Sequence, residues 1–214
     1  MSIVAPGGQR TGLAVNSDGW LTSIANPAVE AHTMSYWSGD GLLRTFTDPM
    51  TSVHTFTYDA LGRLVLNKHP AGGSTALGRT EQSNGYTVTT TSALGKVHAY
   101  KIELLPTGQL RRTATAPGGA ATVLLISKDG SRVITYPDGV RVTSTAGPDP
   151  RFGMMAARLI KRVRTVPGGQ TEDLTGQRTV TLADPGNLLS LQTVTDTVTV
   201  NGTRTFTRTY DAAT

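Results

Sequence analysis

Short stretches of the chain alternate strictly between apolar and polar positions. Tyr86-Thr87-Val88-Thr89-Thr90-Thr91, Arg132-Val133-Ile134-Thr135-Tyr136, Val140-Arg141-Val142-Thr143 and the run from Thr193 to Val200 all repeat with period two. Successive side chains of a strand point to opposite faces, so this period predicts strands with one apolar face and one threonine-rich or polar face. Lys128-Asp129-Gly130, Pro137-Asp138-Gly139 and Asn201-Gly202 separate them, and Asp-Gly and Asn-Gly are strong hairpin signals. The segment from Phe152 to Val163 is open to two readings. Its Met, Ala and Leu residues favour a short helix, while its neighbours are strand-like. As a strand it would place Arg158, Arg162 and Arg164 on one solvated face, with Leu159 and Val163 turned away.

The alternation is itself organised at a longer period. With an offset of 22, residues 18–38 match residues 40–60 at seven of 21 positions, among them Asp18/Asp40, Gly19/Gly41, Pro27/Pro49, His32/His54 and Tyr36/Tyr58. Pro6, Pro27, Pro49 and Pro70 are spaced by 21, 22 and 21 residues, and Gly19, Gly41 and Gly62 each stand eight residues before a Pro. Proline presets φ for a turn and glycine supplies positive φ, so each unit is predicted to be one hairpin: strand, Pro-initiated turn, strand. A lone hairpin is marginal in water, so neighbouring units must pair edge to edge. The fold class expected is all-β, built of tandem antiparallel hairpins. The period is regular over 1–75 and degenerate over 76–214, where Pro-Gly-Gly at 117–119 and 167–169 repeats the punctuation of 6–8, with Pro70-Ala71-Gly72-Gly73 as a variant.

Composition supports the β reading. Threonine accounts for 35 of 214 residues, and 24 Gly and 11 Pro provide the punctuation; threonine is stiff at its first torsion and favours strands. Hydrophobic residues make up 37% of the chain, enough for a core to be expected. The absence of cysteine removes disulfides, thiolate nucleophiles and cysteine metal sites. The longest apolar runs, such as Val123-Leu124-Leu125-Ile126, are too short to span a bilayer as a helix, and the first 24 residues carry no targeting signal. A net charge of +5 and a basic cluster at Arg158, Lys161, Arg162 and Arg164 raise nucleic-acid binding, but aromatics are only 6%, which leaves few stacking platforms and argues against it.

Thr57-Tyr58-Asp59-Ala60-Leu61-Gly62-Arg63-Leu64 resembles the signature of the YD repeats of RHS proteins, a group that includes bacterial RHS toxins, insecticidal toxin-complex proteins and animal teneurins. Asp40-Gly41-Leu42-Leu43 and Thr209-Tyr210-Asp211-Ala212 resemble weaker copies. The resemblance implies a curved, spiralling antiparallel sheet, one hairpin per unit, forming a shell segment. In full-length relatives such a shell encloses or presents a toxin or effector domain. It further implies a secreted or envelope setting as part of a larger bacterial protein, with that protein and its cargo as partners, no catalytic role and no cofactor. The residues carrying the repeat are Gly19, Pro27, Tyr36, Gly41, Pro49, Tyr58, Asp59, Gly62 and Arg63. In such a ribbon Tyr58 packs across strands, Asp59 begins the turn that Gly62 closes, and Arg63 lies just past it. The chain departs from the pattern at Trp37, which stands where the first unit would have its Asp, and at Ser92-Ala93-Leu94-Gly95, which lacks the Tyr-Asp pair.

Other chemistry is weaker. His32 and His54 recur at one repeat position, which favours packing over metal binding, and no His-Glu-x-x-His helix motif is present. There is no Gly-x-Ser-x-Gly elbow and no phosphate-binding glycine loop. Asp184-Pro185-Gly186-Asn187-Leu188 approaches the Asp-Pro-x-Gly-Leu context of self-cleavage in the related toxins but lacks one residue and the paired second motif, so it is expected to be a turn. Asn201-Gly202-Thr203 matches a glycosylation acceptor and is expected to be a type I′ turn. A carbohydrate-binding or adhesive module is the alternative, with Trp20 and Trp37 as candidate sugar-stacking residues beside Tyr36. Both ends of the array look cut, which leaves open strand edges and predicts self-association or blocked edges.

Overall fold

A computed structural model describes residues 1–212. Eighteen strands follow one another and no helix occurs among the described residues. They are β1 (Ser2–Val4), β2 (Arg10–Val15), β3 (Leu21–Ala25), β4 (Ala31–Tyr36), β5 (Leu43–Thr47), β6 (Val53–Tyr58), β7 (Leu64–Lys68), β8 (Ser74–Gln82), β9 (Gly85–Ser92), β10 (Val97–Leu104), β11 (Leu110–Thr115), β12 (Ala121–Ile126), β13 (Arg132–Thr135), β14 (Arg141–Asp149), β15 (Gly153–Thr165), β16 (Thr171–Leu182), β17 (Leu191–Val200) and β18 (Arg204–Asp211). Two compact units divide the chain: one comprises Met1–Thr80 with Val88–His98, the other Glu81–Thr87 with Ala99–Thr214.

In the first unit each strand from β1 to β7 pairs antiparallel with the next, and β7 pairs with β8 through Leu66↔Ala76 and Asn67↔Thr75. The hairpin repeat is visible at both ends of the strands. Pro6, Pro27, Pro49 and Pro70 occupy the second residue of turns at one end, and Gly19, Gly41 and Gly62 lie in turns at the other. Register shifts at Ala14/Val15, Ser35/Tyr36 and Thr57/Tyr58 accompany only the glycine turns, so a bulge recurs once per repeat. The period of 21–22 residues is therefore two strands and two chemically different turns.

One backbone frame serves most of these reversals. In the turn 59–63 the Asp59 N–H donates to the Arg63 carbonyl at 2.9 Å and the Gly62 N–H to the Asp59 carbonyl at 3.0 Å. The same pair of bonds closes 5–9, 16–20, 26–30, 48–52, 69–73 and 92–96 in the first unit, and 105–109, 116–120, 127–131, 136–140 and 166–170 in the second. This is the short hairpin loop with a left-handed fourth residue. That residue is glycine except at Val29 and Thr51, which adopt φ of 67° and 65°. The loop 37–42 is one residue longer, with Trp37 N–H donating to the Leu42 carbonyl at 2.9 Å.

In the second unit β10 to β18 pair in sequence order. The ambiguous segment is extended: residues 153–165 form β15, because pairing with β14 on one side and β16 on the other outweighs its helix propensity. Its expected polarity holds only in part: Arg164 is exposed and Val163 half-buried as expected, but the rest is reversed. Leu159 is exposed, whereas Arg158 and Arg162 are half-buried, the first donating to the Gly176 carbonyl at 3.0 Å and the second paired with Glu172 at 3.3 Å. Asn201 and Gly202 both take positive φ in the β17–β18 turn, which Thr203 N–H closes onto the Val200 carbonyl.

The expected core is thin. Val140, 9% exposed, is the sole buried hydrophobic residue among those described, and no large side chain is fully buried. The more deeply placed residues are Glu103 and Asp149, at 6% and 4% exposed. Half-buried faces carry the packing instead, so cross-strand pairs and backbone ladders, rather than a sealed interior, stabilise each unit. Among the described residues no helix is long and apolar enough to cross a membrane.

Candidate functional site

The repeat-motif residues of the first unit meet at the glycine turns. Asp59 Oδ1 accepts the N–H groups of Leu61 at 2.9 Å and Arg63 at 3.0 Å, while its Oδ2 accepts from Arg63 Nε at 2.8 Å. The N–H and guanidinium of Arg63, followed by the N–H of Leu61, hold the Asp59 carboxyl below its ordinary range. Immediately before it, the Tyr58 hydroxyl reaches across strands and donates to the Leu43 carbonyl at 2.9 Å. Tyr36, one repeat earlier, donates likewise to the Leu21 carbonyl. Each tyrosine thus bonds a backbone carbonyl 15 residues upstream. Burial pushes the Tyr58 hydroxyl pKa up.

The histidines sit in a column of rings on one face of this unit. His32 stacks on Phe46 at 5.2 Å, Phe46 lies 6.4 Å from His54, and His54 meets His69 edge-on at 5.4 Å. His32 Nδ1 and Asn67 Oδ1 are buried without a hydrogen-bond partner. Among the described residues no three His, Asp or Glu side chains converge as metal ligands would.

The two tryptophans differ. Trp20 is half-buried, tilted against Tyr36 at 5.4 Å, and occupies the space beside Gly41 so closely that a Cβ there would lie 2.9 Å from its ring. Trp37 is 38% exposed, donates from Nε1 to the Phe56 carbonyl at 3.3 Å, and carries the Arg44 guanidinium 4.8 Å above its ring. A hollow of about 330 Å³ opens beside Trp37, lined by Asp40, Leu42, Thr57, Tyr58 and Asp59. The structure therefore brings Trp37, Tyr58 and Asp59 together and sets Trp20 among packing residues. Pro27 and Pro49 are at the opposite turns.

The second unit holds two ion clusters that belong to none of the sequence motifs. Glu103 takes Arg111 through two bonds of 2.9 and 3.0 Å and Lys101 at 2.9 Å, and these partners, Arg111 foremost, bring its carboxyl down to about 2. In the other, Arg178 forks onto Asp196 with two bonds of 2.7 Å and reaches Asp149 at 3.0 Å. Burial pushes the Asp149 carboxyl up, but the N–H of Arg151, the Arg178 guanidinium and the N–H of Phe152 outweigh it and hold the carboxyl below its ordinary range. Arg178 does the same to Asp196, whose charge in turn keeps Arg178 firmly protonated. A signal for this cluster exists in the sequence: Asp196 falls between Val194 and Val198 on the apolar phase of its strand, as Arg178 does beside Val180. Charges in apolar phase call for cross-strand partners. Asp184, finally, caps a local turn by accepting the Gly186 N–H at 2.8 Å.

What these arrangements do chemically is tie strands together: hydroxyl to backbone, carboxylate to turn amides, guanidinium to carboxylate. No curated protein matches the chain. Among solved structures, the wild-type TCP10 domain of Danio rerio CPAP is 18% identical, covering 99% of this chain and 100% of that chain at a TM-score of 0.31. A porin-like protein from Bacteroides uniformis is 13% identical, covering 98% and 93%, at 0.30. Scores this low carry no argument. The family comparison is of a different order, since the model described as Teneurin YD-shell matches residues 1–214, the whole of the sequence. With its Tyr-Asp turns, its period and its antiparallel hairpins, the chain belongs to the teneurin YD-shell family.

Proposed function

We propose that this chain is a non-enzymatic wall segment of a larger RHS/YD-repeat protein, and that the full-length wall encloses or presents a toxin or effector domain in a secreted or envelope setting. The observation that carries this reading is the recurrence of one turn frame from 5–9 to 166–170, with the hydroxyls of Tyr36 and Tyr58 each bonding a carbonyl 15 residues back within its own repeat. Such a device propagates strands; it does not assemble reacting groups. In this reading residues 1–75 are the regular part of the array and 76–214 are degenerate hairpins of the same kind. Limited proteolysis of the full-length protein is the test. A cargo domain should be protected while the wall is intact and digested once two hairpins of the wall are deleted; a domain equally digested in both forms refutes enclosure.

A second reading has a specific observation in its favour. Trp37 presents an open ring edge to a hollow bordered by the carboxylates of Asp40 and Asp59, a combination of stacking surface and polar groups suited to a sugar. Tryptophan emission titrated with a panel of oligosaccharides tests it: a shift lost in Trp37→Phe supports binding, and no shift at millimolar sugar removes it.

A further inference from the structure

A hollow of about 580 Å³ lies on one face of the second unit, over β13, β14 and β15. Each of these strands is paired on both sides, so the hollow sits within the sheet and not at an edge of it. Its floor is apolar: Ile134, Val142 and Val140, the last only 9% exposed. Tyr136, an exposed ring, stands at one end. Hydrogen-bond donors collect at the other. Ser144 lines the hollow together with Arg162 and Arg164, and register makes Ser144 the direct cross-strand partner of Arg162 on one side and of Arg132 on the other.

These donors are largely unused. Arg162 gives one bond to Glu172, at 3.3 Å, out of the five N–H donors of a guanidinium. Glu172 stands opposite Arg164 in register but bonds Arg162 instead. Among the described residues the guanidinium groups of Arg132 and Arg164 and the hydroxyl of Ser144 have no hydrogen-bond or ion-pair partner. The remaining acid gives the hollow a direction. Asp138 lies in the turn beyond Tyr136, where its Oδ1 accepts the Val140 N–H at 3.0 Å. Val140 and Ser144 are separated along β14 by roughly 13 Å at the rise of a strand. An anion is therefore repelled at the Tyr136 end and attracted at the arginine end. The turn itself is held in place, since a Cβ on Gly139 would lie 3.0 Å from the Pro167 ring.

We propose that this hollow binds a phosphate or sulfate monoester carried on an aromatic or other apolar body. The body lies on Ile134, Val140 and Val142 against the Tyr136 ring, and the head sits over Ser144, between Arg132 on one side and Arg162 and Arg164 on the other. A tetrahedral head suits these donors better than a carboxylate. Its three terminal oxygens take guanidinium groups from two sides and the hydroxyl from below, whereas a carboxylate offers two oxygens in one plane. An apolar floor with a few converging polar groups is the usual make-up of a small-ligand site. The proposal goes beyond the wall reading, which neither requires this site nor depends on it.

Calorimetric titration of the whole chain with phenyl phosphate, phenyl sulfate, inorganic phosphate and benzoate tests it. At least one ester should bind about tenfold more tightly than benzoate and than inorganic phosphate. Arg164→Gln should weaken that ester about tenfold, and Glu172→Gln, which releases Arg162, should tighten it. Tyr136→Ala should weaken the ester and leave inorganic phosphate unchanged, a split that a merely structural tyrosine would not produce. Should Arg164→Gln fail to fold by circular dichroism, Arg132→Gln carries the same expectation. The two heads are told apart by pH: affinity for the phosphate ester falls as its second proton returns near about pH 6, and affinity for the sulfate ester does not. No binding of either ester at millimolar concentration, esters no tighter than benzoate, or an affinity unmoved by the arginine variants overturns the proposal. None of these results bears on cargo protection, by which the wall reading stands or falls.

Discussion

Val29 should be the easiest residue in the chain to improve. It occupies the fourth position of the turn 26–30, where its N–H donates to the Asn26 carbonyl at 2.9 Å and its φ is 67°. The equivalent residue is glycine in ten of the twelve turns of this frame among the described residues, with φ between 71° and 85°. A left-handed conformation costs an L-residue roughly 1–2 kcal/mol, and a β-branched side chain belongs at the upper end. Val29 is 80% exposed, so deleting its side chain forfeits little packing. Glycine loosens the unfolded chain, which takes back about 0.4–1 kcal/mol. Val29→Gly should therefore stabilise by about 0.5–1 kcal/mol, a rise in Tm of roughly 1–4 °C for a chain of this size. The reverse change at Gly72 is the control. A Cβ there meets nothing within 4 Å, so Gly72→Val carries the backbone strain and no clash, and should destabilise by about 1–2 kcal/mol. Urea unfolding by far-ultraviolet circular dichroism, with calorimetry for Tm, measures both. A neutral or destabilising Val29→Gly together with a harmless Gly72→Val would refute the claim that this frame demands a left-handed residue.

Three further outcomes follow from the bonds between strands. Tyr58→Phe leaves the Leu43 carbonyl without its donor and should cost about 1 kcal/mol in urea unfolding. Arg178→Met strands the Asp149 carboxylate at 4% exposure and should cost about 3 kcal/mol, lowering Tm by roughly 6–12 °C, with Arg178→Lys intermediate. The Glu103 carboxyl is depressed in the folded chain, so its contribution is complete above the ordinary carboxylate range and is lost as pH falls through about 2. Urea midpoints taken from pH 5 down to pH 2 should fall less steeply in Glu103→Gln than in the parent.

How much of this was legible follows from the range of each interaction. The glycine and proline beats are local chemistry: Asp59, Gly62 and Arg63 interact within five residues, so the turn they make can be inferred from their spacing. The extended state of residues 153–165 was not legible, because Met154, Met155 and Ala156 favour helix and only pairing decides otherwise. Nor was the thinness of the core. A composition of 37% hydrophobic residues counts apolar side chains without saying that a ladder of hairpins leaves most of them half-covered. The Asp149–Arg178–Asp196 cluster joins residues 18 and 29 apart. Its pairing depends on register, and only the apolar phase of Asp196 hinted at it.

That cluster also occupies the place where the turn frame lapses. From β1 to β13 most strands are bracketed by five-residue turns, the loop 37–42 and the β8–β9 connection being exceptions, and these turns pin register. β14 to β17 run 9 to 13 residues, and their connections at 150–152 and 183–190 lack the frame. Bulges interrupt the pairing of β14 with β15 and of β16 with β17. A slip of one residue between β16 and β17 would set Arg178 against Thr195 or Thr197 and turn every threonine of those strands to the opposite face. It would separate Arg178 from Asp196, and a shift of β16 that also carried Arg178 away from Asp149 would strand a nearly buried carboxylate. The ion row thus does for the long strands what Asp59, Gly62 and their counterparts do for the short ones: it makes one register the only affordable one.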